Sequence, residues 1–429
     1  MLQFVNSHSQ PLTMDNKSPN FVQRIILASV NLWESPWGST LVAGLIYLVI
    51  VAYSGGLFTP SGFAYYTYQA EAFLHGHFWL TSIPPSTHDL VFLNGKYYLY
   101  WSPFPAFVSM PFVALLGLQF NDVVFTAIVA AINVGLMAQL LRAACQREFL
   151  KLSKTLRSIL VLFVALGTVH ITLAPFGNIW HTGQIIGFTC TILAYLAAFS
   201  MKGAKAWFFT GLALSAAMLT RNQLVFTGIF PAIYLLLQEK PWHWWQVIRN
   251  LVLAALPLLV GLTFYLFYNQ VRFGSPFDTG LAYHLMSGVF RADFNQYGVF
   301  NLHYVPINLY YQYIFYPFPL RTETIMGGSL FLLSPLFFGA LAAFWKPRSP
   351  MGVWALFASI FITNIPILLV MGTGWIQFGP RYTLDFTVPL LLLTALGIER
   401  WKPSLSFVLT MASIIQYFIG IIFWINNYY

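Results

Sequence analysis

Long apolar runs alternate with short polar stretches along most of the 429-residue chain. A run of about 20 apolar residues is long enough to cross a bilayer as a helix. The runs predict spanning helices at about 39–54, 121–141, 158–176, 184–200, 250–268, 325–345, 351–371, 384–398 and 405–425. A further stretch, 207–237, predicts two short helices that meet near Arg221. The predicted fold class is therefore all-α, a polytopic membrane helical bundle of about 11–13 membrane segments with long external loops that carry short amphipathic helices.

Basic residues cluster between these runs. The clusters are Arg142, Arg147, Lys151, Lys154 and Arg157; Lys202 and Lys205; Lys240 and Arg249; Lys346 and Arg348; and Arg400 and Lys402. Because loops rich in Lys and Arg stay in the cytoplasm, all five are expected there. Residues 1–37, which carry Lys17 and Arg24, form a cytoplasmic N-terminal segment with no cleavable signal peptide. Residues 38–429 form a single transmembrane domain whose external loops are 56–100 and 269–324.

The apolar stretch 101–118 needs a different interpretation, because a full crossing there would place the Arg142 cluster outside. Pro103, Pro105 and Pro111 lie within it and interrupt helical hydrogen bonding. We therefore expect 101–118 to be re-entrant or to lie in the membrane interface.

Composition narrows the class of protein. Hydrophobic residues make up 58% of the chain and charged residues 8%, against roughly a quarter charged in soluble proteins. The net charge of +9 lies mainly in the loop clusters, so it indicates membrane topology rather than nucleic-acid binding. Cys145 and Cys190 are far apart, so they suggest neither a disulfide framework nor a zinc site.

The twelve acidic residues point to a functional face. Five lie in the external loops and a sixth at the outer end of a span: Glu71, Asp89, Asp278, Asp293, Glu323 and Asp385. Ionisable groups are expensive near hydrocarbon, so their concentration on one side favours a functional site there. In the first loop, residues 65–75 have helical spacing, and Asn94-Gly95 predicts a tight turn beside Lys96. His75, His77, His88 and Asp89 could together bind a metal, but interfacial polar residues without metal are the favoured interpretation.

Two further external patches carry charge. Asn269 to Gly280 contains Arg272 and Asp278 in a Gly- and Pro-rich turn. Gly372 to Asp385 contains Arg381 and Asp385 four residues apart, so they would share a helix face, either as a structural ion pair or as part of a site. Arg221, at the tip of the short helical pair, should face protein, water or an anionic ligand.

Three of these segments resemble the GT-C superfamily of membrane glycosyltransferases that use polyprenyl-phosphate sugars, a group that includes protein O-mannosyltransferases and aminoarabinose transferases. They are the first external loop with Gly95-Lys-Tyr-Tyr and Pro103-Phe-Pro, the Arg272-Phe-Gly-Ser-Pro segment, and Gln377-Phe-Gly-Pro-Arg-Tyr. The resemblance covers about 38–400 in element order. Where the superfamily usually has an acid early in the first loop, this chain has Ser61-Gly-Phe.

The resemblance implies transfer of a sugar from a polyprenyl-phosphate donor to an acceptor hydroxyl at the outer face of the membrane, in a bacterial inner membrane. Asp89, or Glu71, would be the catalytic base, and Lys96, Arg221 and Arg381 would contact the phosphate. The remaining expected substrate-binding residues are Arg272, Asp278, Tyr382, Asp385 and His181. No Asp-x-Asp triplet occurs, so neither a metal nor another cofactor is expected.

Other functions stay open at this stage. A transporter or flippase for a lipid-linked or small hydrophilic substrate would also use intramembrane charges and proline-broken helices, although no inverted repeat is visible. An inactive enzyme-like scaffold is a third alternative, because of the residues at 61–63. The expected partners are the lipid-linked donor, membrane lipid and an unknown glycan, lipid or protein acceptor, with no nucleic acid.

Overall fold

The computed structural model describes residues 20–322, 326–345, 347–372 and 377–428, without the side chains of Val22 and Met326. Parts of the sequence predictions lie outside the described residues: Lys17, Glu323, Lys346 and 373–376.

The described residues form a bundle of α-helices with two small pairs of strands. The helices are α1 Phe21–Glu34, α2 Pro36–Tyr53, α3 Tyr65–Leu74, α4 Phe104–Leu116, α5 Asp122–Gln146, α6 Lys154–Leu166, α7 His170–Leu173, α8 Ile179–Ser200, α9 Gly203–Met218, α10 Ile229–Gln238, α11 Trp244–Phe273, α12 Gly288–Tyr297, α13 Val305–Leu309, α14 Leu330–Leu333, α15 Gly339–Ala342, α16 Pro350–Leu369, α17 Thr387–Ile398 and α18 Pro403–Tyr428. Residues Asn222–Gly228 and Arg381–Phe386 form 3₁₀ helices that lead into α10 and α17.

Eight helical segments in the described ranges are long and apolar enough to cross a membrane. They are Pro36–Tyr53, Asp122–Gln146, Lys154–Leu173, Ile179–Ser200, Trp244–Phe273, Pro350–Leu369, Arg381–Ile398 and Pro403–Tyr428. Two shorter apolar segments, Phe104–Gln119 and Asn222–Gln238, accompany them. The predicted all-α membrane bundle is confirmed, and the chain is an integral membrane protein.

Side-chain caps set where several helices begin. The Asn121 side chain accepts hydrogen bonds from the first amides of α5, and Ser153 and Asn178 do the same for α6 and α8. These caps satisfy amides that have no partner within the helix. At the other end of α11, Gly274 adopts a φ of 79°, which ends the helix and starts the second external loop.

Close helix contacts build the centre of the bundle. α5 packs against α2 and α8, and α9 lies between α8 and α11. At Gly211 a side chain would be impossible without a shift, because an added Cβ would lie 2.1 Å from the Ala254 carbonyl oxygen of α11. Small residues that let helix backbones approach in this way are typical of membrane bundles.

Basic clusters from distant parts of the sequence meet at one end of the bundle. Glu34, at the end of α1, accepts hydrogen bonds from Arg142 at 2.8 and 2.5 Å and from Arg157 at 3.0 Å. Nearby, Arg348 donates to both oxygens of Glu399 at 2.5 and 2.7 Å. The clusters that the positive-inside rule assigns to the cytoplasm therefore share one end, called here the basic end.

Helix α4 begins and ends at the opposite end of the bundle. The Phe104 amide donates to the Leu219 carbonyl, and just past the end of the helix the Asn121 side chain donates to the Gly56 carbonyl. Thirteen residues make a helix of about 20 Å, shorter than the hydrocarbon core of ~30 Å. This geometry agrees with the expectation that 101–118 does not cross.

One predicted helix needs correction. The single span expected at 325–345 is broken in its described part into α14, a 3₁₀ turn at Pro335–Phe338, and α15. Ser334 leaves the helical region because it precedes a proline, and Pro335 cannot donate to the preceding turn. Within the N-terminal segment 1–37, Phe21–Glu34 forms α1, which starts with a reciprocal Asn20 and Gln23 capping box.

The first external loop carries α3 and a hairpin of two strands, β1 Val91–Leu93 and β2 Lys96–Tyr98. Asn94 and Gly95 both have positive φ at the turn, which matches the predicted tight turn. A short parallel pair, β3 Met326–Gly327 and β4 Gln377–Phe378, lies at the same end of the bundle. β4 is followed directly by the 3₁₀ segment that carries Arg381.

Candidate functional site

The two long loops that the sequence predicts to be external, 56–100 and 269–324, join at Asp89. The Asp89 amide donates to the Leu285 carbonyl at 3.0 Å, and the Leu285 amide donates to the Leu90 carbonyl at 2.8 Å. Val91 also forms an antiparallel bridge with His284. Asp89 itself has a φ of 64°, a left-handed conformation that is uncommon outside glycine and occurs preferentially at functional positions. The backbone therefore holds this carboxylate in a fixed place.

Two histidines surround the Asp89 carboxylate. His284 Nε2 lies 2.9 Å from Asp89 Oδ1, and His88 Nε2 lies 3.4 Å from the same atom. His284 is largely buried, whereas His88 is more exposed. A carboxylate bonded to an imidazole is held in one orientation, and it retains a second oxygen that can accept a proton.

Tyr100 connects the acid to the basic side of the site. Its ring packs edge-on against His284 with centroids 4.9 Å apart and stacks on Trp101 at 3.9 Å. Burial, followed by the negative charge of Asp89, raises the pKa of Tyr100 well above its ordinary value, while Arg381 lowers it. Tyr100 thus lies within electrostatic range of both Asp89 and Arg381, and it stays a neutral hydroxyl at physiological pH.

The next part of the site is a buried ion pair between Arg221 and Asp385. Arg221 Nε donates to the Asp385 carboxylate at 3.0 Å, and Gln223 donates to it at 2.8 Å. Asp385 is only 1% exposed and Arg221 15%. The interpretation that Arg381 and Asp385 form an ion pair is wrong, because Asp385 pairs with Arg221 across 164 residues of sequence. The segment around them is also a 3₁₀ helix, in which residues four apart do not align.

Arg381 has a different environment. The Tyr382 ring lies between two guanidinium groups, with Arg221 at 5.2 Å and Arg381 at 5.0 Å from its centroid. Arg381 Nε is buried and has no hydrogen-bond partner among the described residues. The carbonyl of Arg381 accepts a bond from Gln184, which fixes the backbone. A positioned guanidinium with an unused donor is suited to bind an anion.

A small cavity of about 20 Å³ opens beside Arg381. His181, Gln377 and Arg381 contribute its polar lining, and Ile421 and Trp424 of α18 lie on its apolar side. His181 Nδ1 and Gln377 Oε1 are buried and unpaired within the described ranges. The cavity therefore combines several unused polar atoms with an apolar wall from the last helix, a combination that is typical of ligand sites.

Four other predicted site residues are engaged in holding the loops together. Glu71 accepts a bond from Thr81 at 2.5 Å, and Lys96 lies over the Trp79 ring at 3.5 Å. Arg272 is buried, donates to the Leu99 carbonyl and to Asn269, and stacks on Tyr268. The Asp278 carboxylate accepts from the Gly280 amide at 2.7 Å. These contacts give Arg272 and Asp278 a role in loop structure, and no contact described here brings Glu71 or Lys96 to Arg381.

Sequence analysis missed two residues at the centre of the site, Tyr100 and His284. Tyr100 is one of 23 tyrosines, and His284 lies in a loop without a recognisable motif. It also missed Asp122, whose carboxylate accepts from the Ser61 amide at 2.8 Å and hydroxyl at 2.6 Å. Ser61 stands where the resemblance led us to expect an acid, so in this chain the acid near that position comes from α5.

This arrangement places a fixed carboxylate, Asp89, and a guanidinium with an unused donor, Arg381, within electrostatic range of Tyr100. Such a pair can accept a proton from a nucleophile and stabilise negative charge on a leaving group. In the described part of the chain, no three His, Cys, Asp or Glu side chains are grouped closely enough to hold a metal ion.

Comparison with known proteins places the fold. No protein-family signature and no curated protein matches the sequence. Among solved structures, ArnT from Cupriavidus metallidurans bound to undecaprenyl phosphate superposes with a TM-score of 0.51 and 14% identity, over 85% of this chain and 60% of that one. The fold is of the GT-C type. The Archaeoglobus fulgidus oligosaccharyltransferase in its apo form also matches, with a TM-score of 0.46 and 13% identity over 91% of this chain and 56% of that one.

The predicted GT-C fold is thus confirmed. The chain spans about 60% of the length of ArnT, and identity of 14% shows a common fold and no more. The reaction therefore has to be argued from the residues at the site.

Proposed function

We propose that this protein transfers a sugar from a polyprenyl-phosphate donor to an acceptor hydroxyl at the outer face of the membrane. The observation that carries the proposal is that Tyr100 packs against His284, which contacts Asp89, while Arg381, nearly 300 residues from Asp89 in sequence, lies within electrostatic range of the same tyrosine. In a chain with so few charges, an acid and an arginine with an unused donor at the same end of the bundle favour catalysis over lipid contact.

In the proposed reaction, the acceptor oxygen attacks the anomeric carbon of the donor. The bond between that carbon and the phosphate oxygen breaks, and its electron pair leaves with the polyprenyl phosphate. The proton of the acceptor hydroxyl passes to the Asp89 carboxylate, which His284 orients. Arg381 stabilises the charge that grows on the departing phosphate. Arg221 stays paired with Asp385 and holds the Tyr382 ring beside Arg381.

The cavity beside Arg381 suits a donor that is part lipid and part anion. Its polar atoms lie near the outer end of α17, and Ile421 and Trp424 line the side toward α18. A prenyl tail in hydrocarbon could then approach while its phosphate meets Arg381. The undecaprenyl phosphate bound to ArnT, a protein of similar fold, supports this class of ligand.

The proposal is tested by replacing Asp89 with Asn in the full-length protein. We expect Asp89→Asn to lower the rate of sugar transfer from lipid-linked donors by about 10²-fold or more, because an amide cannot accept the proton. Asp293→Asn is the matched control, since Asp293 is an exposed acid on the second external loop. Transfer would be followed by separating labelled donor from product.

Two results would oppose the proposal. Turnover of Asp89→Asn near the wild-type rate, with unchanged thermal unfolding, would remove the base from the mechanism. Accumulation or flipping of a lipid-linked sugar in proteoliposomes without any transfer would favour a carrier over a transferase.

A further inference from the structure

A second and larger cavity lies at the basic end, away from the site around Tyr100. It measures about 210 Å³ and opens where α15 ends, α16 begins and α17 ends. α17 separates the two cavities along the bundle, because Arg381 precedes its first turn and Glu399 follows its last. The proposed transfer reaction makes no use of this second cavity.

The rim of the cavity is cationic. Arg348, Arg400 and Glu399 line it, and Arg348 donates to both oxygens of Glu399. Glu399 also accepts from the Lys151 amide at 2.8 Å, so its carboxylate is well supplied with donors. Arg400 is exposed and forms no ion pair with any residue within the described segments. Because the charges of Arg348 and Glu399 cancel, Arg400 gives the rim one net positive charge.

The floor and walls of the cavity are apolar and aromatic. Ala342, Ala343, Val353 and Leu396 form the floor, and the indoles of Trp345 and Trp401 line the wall. Trp345 is 77% exposed, although tryptophan is a large apolar side chain. Exposed tryptophan beside arginine at helix ends is typical of the depth at which lipid headgroups lie. The cavity thus has a cationic mouth and an apolar interior.

We propose that this cavity binds one anionic phospholipid, with the headgroup phosphate at Arg400 and Arg348 and an acyl chain over the Ala342 and Leu396 floor. Basic pockets between helices on the cytoplasmic side bind anionic lipid headgroups through the same chemistry. A soluble phosphate would use the rim but leave the apolar floor without a function. The combination of both surfaces therefore favours a lipid.

The experiment uses the full-length protein in detergent, with added phosphatidylglycerol or phosphatidylcholine and bound lipid counted by native mass spectrometry. We expect phosphatidylglycerol to bind more tightly than phosphatidylcholine. Arg400→Gln should weaken the binding of phosphatidylglycerol about fivefold, which corresponds to the loss of one cation near an anionic headgroup. Because Arg400 has no ion-pair partner in the described part of the chain, this variant should unfold at the wild-type temperature.

Lys205→Gln is the matched control, because it removes an exposed positive charge at the basic end outside the cavity. Ala342→Phe provides a second test, since it fills the apolar floor and leaves both arginines in place; it should also weaken lipid binding. Equal loss in Lys205→Gln would show diffuse attraction and overturn the proposal. Unchanged binding in Arg400→Gln, equal binding of phosphatidylcholine, or complete displacement by millimolar inorganic phosphate would overturn it as well.

Discussion

The basic end of this bundle and the opposite end, which the sequence predicts to face outward and which is called here the outer end, each hold a buried carboxylate among arginines. The two arrangements differ in what remains unpaired. At the basic end, Glu34 is 7% exposed and accepts bonds from both Arg142 and Arg157. At the outer end, the Asp385 carboxylate accepts hydrogen bonds from Arg221 and Gln223, and Arg381 lies beside the ring of Tyr382. Arg381 Nε has no partner among the residues that the structure describes.

The difference separates structural charges from functional ones. The guanidinium groups of Arg142 and Arg157 are paired with Glu34, so these two groups need no ligand to balance their charge. An arginine held near hydrocarbon with an unused donor is costly, and a chain with 8% charged residues has few of them. We therefore infer that Arg381 is kept for a ligand, and the following predictions test that contrast.

The largest expected effect is on stability and comes from breaking the outer ion pair. Arg221→Met should lower the free energy of unfolding by about 3–5 kcal/mol, because it leaves the buried Asp385 without its cation. The measurement is reversible unfolding in mixed detergent micelles.

The second variant of this test changes both partners. The double variant of Arg221→Met and Asp385→Asn should recover part of the lost stability, since the uncompensated charge is then gone. If the loss in the free energy of unfolding of the double variant equals the sum of the losses in the two single variants, Arg221 and Asp385 are not coupled.

The next effect is on activity with little change in stability. Arg381→Gln should lower sugar transfer about 10²-fold, the size expected when one preorganised donor to a developing charge is removed. Its free energy of unfolding should stay close to that of the wild type, in contrast to Arg221→Met. The control is Arg291→Gln, which removes an exposed cation from the second external loop. A large loss of stability in Arg381→Gln would place this residue with the structural arginines.

A smaller effect on activity is expected at His284. His284→Phe keeps an aromatic ring against Tyr100 but removes the hydrogen bond to Asp89, so transfer should fall about tenfold. His284→Gln, which can still donate to Asp89, should lose less. His303→Phe serves as control, because His303 stacks on Tyr297 elsewhere on the same loop. Equal rates for His284→Phe and the wild type would mean that the Asp89 backbone alone orients the carboxylate.

The fold was largely predictable because lipid imposes simple rules on sequence. Spans such as 121–141 and 405–425 could be predicted from length and hydropathy alone. The basic clusters then indicated which helix ends lie at the same end of the bundle. Predictions failed where local chemistry overrode the apolar pattern, as at Pro335, which divides the expected span 325–345. No helix was predicted at α1, although its Asn20 and Gln23 capping box was a readable signal.

The candidate site was predictable residue by residue but not as a set of contacts. Rarity of charge pointed to Asp89, Arg221 and Arg381 individually. Sequence spacing then suggested the wrong partner for Asp385, because its pairing with Arg221 depends on how two distant outer turns pack. Tyr100 could not be singled out, because the run of aromatic residues around it has no feature that marks the one within electrostatic range of both Asp89 and Arg381.

The smallest expected effect is a pH dependence of stability that comes from Glu34 at the basic end. Burial alone would raise the pKa of Glu34, but hydrogen bonds and charges from Arg142 and Arg157 bring it below the ordinary value of 4.5. A carboxyl group whose pKa is depressed on folding contributes stability that is fully present above 4.5 and is lost as pH falls through the lowered value. Wild-type protein should therefore lose more thermal stability than Glu34→Gln between neutral and strongly acidic pH. Parallel curves for the two proteins across that range would mean that the pairing of Glu34 with Arg142 and Arg157 does not stabilise the folded protein.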